Sequence, residues 1–363
     1  MFINYKNCLT NLANSILKYF DIKTYHETLE ILDKVLKENN SKNVVVILYD
    51  GMGARIIDKV LGEKNFFNDN KLCEIDSVFP STTAAATTTV MSGLNPSEHG
   101  WIGWNVYLKE IDKTVTLFLN EEKETKNKIK GFHAGYDLMS YKRIPDLVSE
   151  KGYKGYYVSP FGEYKYNTLE EMNEIIENIC KEDGKKYIYA YHDEPDYSMH
   201  EYGTDSDVVK DIMKKIEEST KKLCDNLNDT TVIIIADHGH INVEKIDLKK
   251  HKKLYDTLIR TTSIDSRCTA FFIDKEKEDV FKKEFENNYL DDFILLTKEE
   301  VLNNELFGDG SYNKHFKDAI GDYLAVAKTN KYFSDDDDDF IFKSHHAGIT
   351  GDEIKVPVIV IKK

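Results

Sequence analysis

Acidic residues and histidines follow several apolar segments of this chain and offer enough ligands for two divalent metal ions. They are Asp50, Asp196, His200, Asp237, His238 and His346. Carboxylate oxygens and imidazole nitrogens without thiolates suit Zn²⁺, with Mn²⁺ next. The hydroxyl-rich segment Ser81-Thr82-Thr83 offers a nucleophile. This combination predicts a hydrolase that uses two metal ions.

Predicted strands place these residues at one edge of a sheet. Residues 43–49, 186–191 and 231–236 are apolar, β-branched runs of the kind found in strands buried on both faces. Helical patterns over residues 27–38 and 207–226 separate them. Strands that alternate with helices predict a parallel sheet with right-handed crossovers, which binds ligands beyond the carboxyl ends of its strands. The acidic clusters are therefore expected to face one crevice.

Each cluster also has a purely structural interpretation. A lone aspartate after a strand, such as Asp50, is commonly a turn or helix-capping residue. The adjacent pair Asp237 and His238 is rarer after a buried strand. Asp196 and His200 are four residues apart, which puts both side chains on one side of a helical turn. Three such clusters in one chain favour metal binding over coincidence.

The hydroxyl-rich segment leads into a run of small residues. Residues 84–92 end at Gly93, which predicts a tightly packed helix with hydroxyls in its first turn and a glycine cap. A helix N-terminus offers free amides and the positive end of a dipole to a phosphate. A hydroxyl at this end can cap the helix, as Ser81 or Thr82 is expected to do, or it can attack a substrate.

Several motifs occur in the order of a known family. They are Asp50-Gly51, Phe79-Pro80, the segment from Ser92 to Gly100, Glu194-Pro195-Asp196 with His200 and Gly203, Asp237-His238-Gly239, and His346 ahead of Val356-Pro357-Val358-Ile359. On these residues the chain resembles the alkaline phosphatase superfamily and, most closely, its type I phosphodiesterase/nucleotide pyrophosphatase branch. The resemblance implies an α/β, alkaline-phosphatase-like three-layer fold with a mostly parallel central sheet and a small inserted α+β cap.

The resemblance also implies roles for single residues. Thr83 matches the covalent nucleophile, counting back from the glycine of the family pattern. The ligands implied for one metal ion are Asp196, His200 and His346. The ligands implied for the other are Asp50, Asp237 and His238, together with the Thr83 oxygen. Two ions about 4 Å apart can clamp the attacking and leaving oxygens of a displacement at phosphorus. A cation also lowers the pKa of a hydroxyl, so Thr83 needs no separate base.

Two positions depart from the family pattern. The family's phosphodiesterases usually have an asparagine that holds a phosphate oxygen, where this chain has Trp104 in strict register and Asn105 after it. We predict that Asn105 takes this role through a small shift and that Tyr107 assists it in substrate binding. Near the C-terminus the chain has His345-His346-Ala347-Gly348 where His-Gly-Gly is more usual. Spacing to the Gly-Ile-Thr segment selects His346 as the ligand.

The length of the chain, 363 residues of which 41% are hydrophobic, fits one large α/β domain with an insertion. Residues 1–240 and 341–363 are predicted to form the hydrolase core. Residues 241–340 are predicted to form the inserted cap-like subdomain. The elements predicted for this cap are a strand over 269–273, a charged helix over 275–287 and a strand over 293–296.

Charge and cysteine content limit the partners and the location. With 49 basic and 64 acidic residues the net charge is −15, which argues against binding nucleic acid through a basic face. The acidic run over residues 335–339 is predicted to be a solvated loop, with weak cation binding as the alternative.

The sequence contains no stretch of 18 apolar residues, so no membrane span is predicted. Five cysteines without disulfide or metal spacing favour the cytoplasm. Small phosphate esters are the expected partners, and the oligomeric state stays open.

These features predict hydrolysis of phosphodiester or pyrophosphate bonds through a covalent phospho-threonine. Arg55 and Arg143 are the only arginines before residue 260, and neither is beside the nucleophile in sequence. The extra charge of a monoester therefore has no evident cationic clamp. A diester instead needs room for a second organic group, which stacking and hydrogen bonding by Trp101, Trp104, Asn105 and Tyr107 can provide, with ordinary core packing as the alternative for the two tryptophans. The alternatives are a phosphomonoesterase, a phosphonate hydrolase, a metal-dependent phosphomutase and a non-catalytic binding protein.

Overall fold

The computed structural model describes residues 2–336 and 340–363 and contains two large sheets and two short ones. The strands are β1 (Asn43–Tyr49), β2 (Lys71–Asp76), β3 (Asn105–Leu108), β4 (Lys113–Thr116), β5 (Glu121–Glu122), β6 (Lys154–Val158), β7 (Lys186–His192), β8 (Thr230–Ile235), β9 (Ile241–Asn242), β10 (Glu244–Asp247), β11 (Ser263–Ile264), β12 (Cys268–Phe271), β13 (Phe293–Thr297), β14 (Tyr323–Ala327), β15 (Lys331–Ser334), β16 (Ser344–His345) and β17 (Lys355–Lys362).

The helices connect these strands. The α-helices are α1 (Leu9–Tyr19), α2 (Glu30–Asn39), α3 (Ala54–Leu61), α4 (Phe66–Asp69), α5 (Thr83–Ser92), α6 (Pro96–His99), α7 (Ala134–Leu138), α8 (Ile144–Glu150), α9 (Leu169–Lys181), α10 (Asp196–Tyr202), α11 (Asp207–Asn226), α12 (Lys252–Tyr255), α13 (Glu278–Asn288), α14 (Lys298–Asn303), α15 (Phe316–Ala319) and α16 (Gly351–Ile354). Two short 3₁₀ turns span Leu248–Lys250 and Lys275–Lys277.

The central sheet has six strands in the order β2-β17-β8-β1-β7-β6. Strands β6, β7, β1 and β8 are parallel neighbours, whereas β17 runs antiparallel to both β8 and β2. Every residue of β1 and β8 is buried, as expected for apolar runs covered on both faces. The register pairs Tyr49 with His192 and Leu48 with Ile235, so β1, β7 and β8 end at the same edge. The prediction of a mostly parallel central sheet is confirmed.

Two groups of helices cover this sheet and complete the three layers. In one group α1 packs against α2 and α5, and α5 against α8; in the other α11 packs against α3 and α9. The apolar side of α11 shows the helical spacing that its sequence predicts, with Val209, Met213 and Ile216 buried among others. No helix in the described part of the chain is long and apolar enough to cross a membrane.

The second large sheet has seven strands in the order β13-β14-β12-β11-β3-β4-β5 and its own apolar core. The strands predicted near 269–273 and 293–296 are present as β12 and β13, and α13 lies between them. Strands β3 to β5, however, lie outside the 241–340 range predicted for the cap. The pairing of Ile264 with Asn105 joins the two chain segments into one sheet. The domain bounds therefore stay a prediction, and this sheet is not built from the insertion alone.

The acidic run begins with a buried residue. Asp335 accepts a hydrogen bond from the Lys123 ammonium group at 2.6 Å and another from the Thr262 backbone N–H at 2.8 Å. Burial raises the pKa of the Asp335 carboxyl, but the charge of Lys123 and these hydrogen bonds outweigh it and lower the pKa to about 2. The prediction of a solvated loop is wrong for Asp335, and residues 337–339 lie outside the described residues.

A buried ion pair ties the C-terminal loop to the second sheet. Arg267 and Glu353 are both fully buried, and the guanidinium Nε and Nη2 donate to the two carboxylate oxygens at 2.7 and 2.8 Å. Arg267 also donates to the backbone carbonyl oxygens of Thr329 and Lys331. Glu353 accepts from the backbone N–H of Gly348 at 2.7 Å. The loop that carries His346 is thereby attached to the residue that precedes β12.

Replacing Glu353 with alanine is expected to lower the free energy of unfolding by about 3–5 kcal/mol, because the Arg267 guanidinium stays buried without its counter-charge. Urea unfolding followed by circular dichroism measures this change. The matched control is Glu150→Ala, which removes an exposed carboxylate paired with Lys142 and is expected to cost less than about 1 kcal/mol. Equal losses in the two variants would contradict the anchoring role.

Candidate metal centre and nucleophile

One group of candidate ligands lies at the carboxyl ends of β1 and β8. Asp50 Oδ1 and Asp237 Oδ2 each lie 3.4 Å from His238 Nε2. Ligand atoms about 2.0–2.1 Å from a tetrahedral zinc ion lie roughly 3.4 Å apart. Both oxygens are buried and have no hydrogen-bond partner, whereas the other oxygen of each carboxylate is satisfied by Tyr191 or by the Gly51 and His238 backbone N–H groups. The residues present fit a divalent cation between these three atoms.

A second group lies at the start of α10. Asp196 and His200 are one helical turn apart, with Asp196 Oδ2 3.4 Å from His200 Nε2. His346, in the loop after β16, brings its Nε2 to 3.8 Å from Asp196 Oδ1. The sequence prediction separated these six residues into two sets of three. The geometry brings both sets together, since His238 Nε2 is also 4.0 Å from Asp196 Oδ1.

Hydrogen bonds to backbone carbonyls orient two of these imidazoles. His238 Nδ1 lies 3.2 Å from the carbonyl oxygen of Gly239, and His200 Nδ1 lies 2.9 Å from that of Ser344. A carbonyl oxygen only accepts, so Nδ1 carries the hydrogen in each neutral ring and Nε2 presents its lone pair to the carboxylates. Burial also lowers the pKa of His200, and that of His346 still further. Neutral imidazoles of this kind are ready to bind a metal ion.

The carboxylates at this site repel one another. Burial raises the pKa of Asp50 well above its ordinary value, and the neighbouring Asp237 and Asp196 raise it further. Burial likewise raises the pKa of Asp237. The pKa of Asp196 is lowered instead, because the positive charge that His200 and His240 carry when they are protonated outweighs the effect of burial. A divalent cation would reverse this cost for Asp50 and Asp237 by favouring their ionised forms.

Thr83 is the first residue of α5. Among the hydroxyl groups of Ser81, Thr82 and Thr83, that of Thr83 faces these ligands. Its Oγ1 lies 3.2 Å from His238 Nε2. Thr82 donates its hydroxyl hydrogen to Asp265 Oδ2 at 2.8 Å, and Ser81 donates to the carbonyl oxygen of Gly348 at 3.3 Å. Thr82 occupies the N-cap position of α5 but makes no capping hydrogen bond. The capping interpretation of Ser81 and Thr82 is therefore wrong, because both hydroxyls bind other loops.

A cavity of about 890 Å³ opens above Thr83. Asp50, Thr83 and Asp196 line one end of it. Its walls are largely aromatic, and the aromatic residues that line it are Trp104, Phe118, Tyr136, Tyr141, Tyr157, Phe161, Tyr189, Tyr191 and Tyr197. Apolar walls with a few polar groups at one end are typical of a site that holds an organic group next to the reacting centre.

Comparison with known proteins agrees with this geometry. Residues 44–348 match the profile of the type I phosphodiesterase/nucleotide pyrophosphatase family. The chain belongs to this family. It is therefore a metal-dependent phosphodiesterase/nucleotide pyrophosphatase-like hydrolase, and its family is typically two-metal dependent. A search of curated protein sequences finds no match to the chain.

Solved structures of the alkaline phosphatase superfamily share the fold. An inactive variant of murine ectonucleotide pyrophosphatase/phosphodiesterase 5, bound to AMP, is 16% identical with a TM-score of 0.66, and the match covers 87% of each chain. The human enzyme of the same name is 17% identical with a TM-score of 0.65 over 87% of each chain. Phosphonoacetate hydrolase from Sinorhizobium meliloti 1021, in complex with phosphonoformate, is 13% identical with a TM-score of 0.61; the match covers 87% of this chain and 89% of that one.

The family asparagine has no counterpart on the cavity wall. Neither Asn105 nor Tyr107 is among the described residues that line the cavity, although both were predicted to bind substrate. Asn105 Oδ1 accepts from the Thr116 hydroxyl across the second sheet at 2.7 Å. The Tyr107 hydroxyl donates to Asp112, and Arg260 lies 4.0 Å from the centre of the Tyr107 ring. The structure thus gives this prediction no support, because a cross-strand contact holds Asn105 and contacts with a turn and a loop hold Tyr107. Trp104 is the residue of this segment that lines the cavity.

The structure also places Arg143 on the cavity wall. The sequence did not predict this position, because Arg143 is far from Thr83 along the chain. Its Nε and Nη2 donate to the two carboxylate oxygens of Asp146, both at 2.8 Å, and Nη2 also donates to Glu163 at 2.7 Å. Two carboxylates on one guanidinium leave this corner of the cavity with an excess of negative charge. Arg143 is therefore not a free cationic clamp for a phosphate, in agreement with the sequence argument.

The site contains two further buried histidines, His240 and His345, which the sequence analysis did not predict to be metal ligands. A nitrogen of His240 lies within 4.8 Å of candidate ligand atoms of Asp196, His238 and His346, and a nitrogen of His345 lies within 4.8 Å of those of His200 and His346. The signal for His240 was its place two residues after His238, where a loop that follows a strand can return a second imidazole to the same site. His345 was weighed only as a neighbour of His346.

Metal-saturated protein is expected to contain close to two divalent ions per chain, and chelation is expected to abolish hydrolysis. The physical reason is that Asp50 and Asp237 lie in a buried site where a divalent cation would offset the cost of their negative charges. Elemental analysis of purified protein measures the content. Asp237→Asn should lower it, whereas Asp193→Asn, which changes an exposed carboxylate on the cavity wall, should not. A reproducible content of one or none in folded wild-type protein would contradict the two-metal arrangement.

Proposed function

We propose that this protein hydrolyses phosphodiester or pyrophosphate bonds through a covalent phospho-threonine formed on Thr83. The observation that carries the proposal is the position of Thr83 Oγ1, 3.2 Å from His238 Nε2 and at the end of the cavity where Asp50 and Asp196 lie. Of the three hydroxyls in the segment, it alone has no strong competing role, because Thr82 and Ser81 donate to Asp265 and to Gly348.

The proposed metal ligands divide into two sets. Asp50, Asp237 and His238 hold one ion beside Thr83. Asp196, His200 and His346 hold the other. When bound, two such ions lower the pKa of a nearby hydroxyl and stabilise the attacking and leaving oxygens of an in-line displacement. Zn²⁺ is the first choice for this mixture of carboxylates and imidazoles, and Mn²⁺ is the second.

The residues of the chain then carry the two half-reactions. Thr83 loses its proton to solvent, and its oxygen attacks phosphorus as the bond to the leaving group breaks. The leaving alcohol or phosphate takes a proton from solvent. The amides in the first turn of α5 face the negative phosphoryl group and stabilise it. Water then attacks the phosphorus of the phospho-threonine, the ester bond to Thr83 breaks, and the threonine hydroxyl is restored.

Charge and shape of the cavity support diesters over monoesters. A monoester carries one more negative charge, and the only arginine on the cavity wall in the described residues is already bound by Asp146 and Glu163. A diester instead needs room for a second organic group. Trp104 and Phe118, whose ring centres are 5.7 Å apart, line the cavity and offer an apolar surface for it.

The proposal also includes the location of the protein in the cell. Cys8, Cys73, Cys180, Cys224 and Cys268 are all free thiols. Free thiols support a reducing environment, for which the cytoplasm is the expected location.

Thr83→Ala is expected to lower kcat by several orders of magnitude while two metal ions stay bound, because each ion keeps three protein ligands. Steady-state kinetics and elemental analysis measure the two effects. Thr82→Ala is the matched control: it removes a neighbouring hydroxyl of the same size that donates to Asp265, and turnover should persist. If Thr82→Ala abolished turnover and Thr83→Ala did not, the nucleophile would be assigned to the wrong residue.

A nitrophenyl nucleotide diester is expected to have a higher kcat/KM than nitrophenyl phosphate. Trp104→Ala should raise KM for the diester and change hydrolysis of the monoester little, since the indole contacts only the second organic group. Trp104→Phe keeps an aromatic surface and should restore much of the affinity. A clear preference of the wild-type enzyme for the monoester would identify a phosphatase instead.

A further inference from the structure

His240 is a buried histidine that converges on the same carboxylate as the proposed metal ligands. Its Nε2 lies 2.5 Å from Asp196 Oδ1. The same oxygen lies 3.8 Å from His346 Nε2 and 4.0 Å from His238 Nε2. These four atoms all lie within 4.8 Å of one another. The ligand sets that the family resemblance implies leave His240 without a role.

Hydrogen bonds of Ser344 determine which nitrogen of His240 carries the proton. The Ser344 hydroxyl donates its single hydrogen to the carbonyl oxygen of Met199 at 2.6 Å. Its oxygen then only accepts, and the available donor is His240 Nδ1 at 3.1 Å. The hydrogen-bond network therefore assigns the proton of neutral His240 to Nδ1. Nε2 consequently presents a lone pair to Asp196.

A lone pair that faces a carboxylate oxygen is repelled unless a cation binds both atoms, and with an ion bound the two atoms would separate toward the roughly 3.4 Å expected of neighbouring ligands. His200 has the same arrangement, with Nδ1 donating to the Ser344 carbonyl oxygen and Nε2 facing the other oxygen of Asp196. Ser344 thus orients two imidazoles, one through its backbone and one through its side chain, toward the two oxygens of one carboxylate. Such bonds to the remote nitrogen are the usual way in which proteins orient metal-binding histidines.

His345 provides a contrast within the same cluster. Its Nδ1 accepts a hydrogen bond from the backbone N–H of His346 at 2.8 Å. A neutral His345 ring therefore carries its proton on Nε2 and has no lone pair left for a metal ion. His345 and His240 are both buried, so burial does not show which of them can bind a metal ion. The position of the ring proton does, because it is on Nδ1 in neutral His240 and on Nε2 in neutral His345.

We propose that His240 is a further protein ligand, through Nε2, of the ion held by Asp196, His200 and His346. The proposal rests on the two-metal centre of the proposed function. It gives this ion three imidazoles and one carboxylate. Four protein ligands already complete a tetrahedral zinc site, so the ion must become five-coordinate to accept a substrate oxygen.

Proton NMR of the Co²⁺-loaded protein tests this assignment without relying on turnover. An imidazole bound to Co²⁺ through Nε2 shows a strongly shifted, exchangeable signal from its Nδ1–H. The Nδ1–H groups of His200, His238 and His240 each donate to a protein oxygen, which slows their exchange with water. Wild-type protein should therefore show a shifted signal from each of these three rings. His240→Gln should lose one signal and bind one of its two ions roughly tenfold or more weakly.

Two variants keep the test specific. His345→Gln removes an equally buried imidazole and should retain every shifted signal. Ser344→Ala removes the acceptor of His240 Nδ1–H alone, so one signal should exchange faster while that of His200, held by the backbone carbonyl, persists. Ser344→Ala also tests the assignment should His240→Gln fail to fold.

The possible failures are distinguishable. Co²⁺-loaded His240→Gln with all the signals of the wild type would overturn the assignment, even if its affinity fell, because His240 would then only position Asp196. Loss of a signal in His345→Gln would overturn it as well, since the spectrum would respond to any change in the cluster. Wild-type protein that binds no Co²⁺ would overturn the metal centre itself and with it the proposed function.

Discussion

Mutual repulsion of three carboxylates, two of them buried and one partly buried, is the constraint on which the rest of this structure depends. Asp50, Asp196 and Asp237 come from three separate parts of the chain and share one site. Two unit charges 4 Å apart repel by about 4 kcal/mol even at an effective dielectric constant of 20. Burial and these neighbours accordingly raise the pKa of Asp50. Neutral imidazoles surround the carboxylates, and divalent cations bound by the two kinds of ligand would allow all three carboxylates to stay ionised.

The fold holds this arrangement by two different means. Parallel strands β1 and β8 end at one edge and deliver Asp50, Asp237 and His238 directly. The loop that carries His346 lies outside the central sheet and has no strand of that sheet to fix it. The buried pair of Arg267 and Glu353 supplies the missing support, because it joins this loop to the second sheet through charge-assisted hydrogen bonds. The position of one metal ligand thus depends on packing between two sheets.

The groups suited to the reaction and the groups suited to substrate selection lie in different parts of the cavity. The charged end next to Thr83 is suited to a phosphoryl group once cations are bound. The aromatic walls are suited to the organic part of a substrate, and Arg143 is already bound by Asp146 and Glu163. An ester with a second organic group fits this division better than a dianionic monoester. The extra imidazole of His240 would act on the charged end, by changing how many positions around one ion remain for substrate.

The amino-acid sequence by itself predicted the parallel strands at the centre of the main sheet, the six ligand candidates and a hydroxyl-rich segment that contains the candidate nucleophile Thr83. Long apolar runs specify buried strands locally, and residues that directly follow parallel strands must meet at one edge. Tertiary structure alone decided the rest. Arg143 is 60 positions from Thr83, and strand β3 pairs with β11, which lies far along the chain. Hydrogen bonds to Thr116 and Asp112 hold the side chains of Asn105 and Tyr107 within the second sheet and its β3–β4 turn. The position of His240 after His238 suggested a role, but the ligand role proposed for it rests on the hydrogen bond of Ser344, because a tautomer depends on contacts between residues distant in sequence.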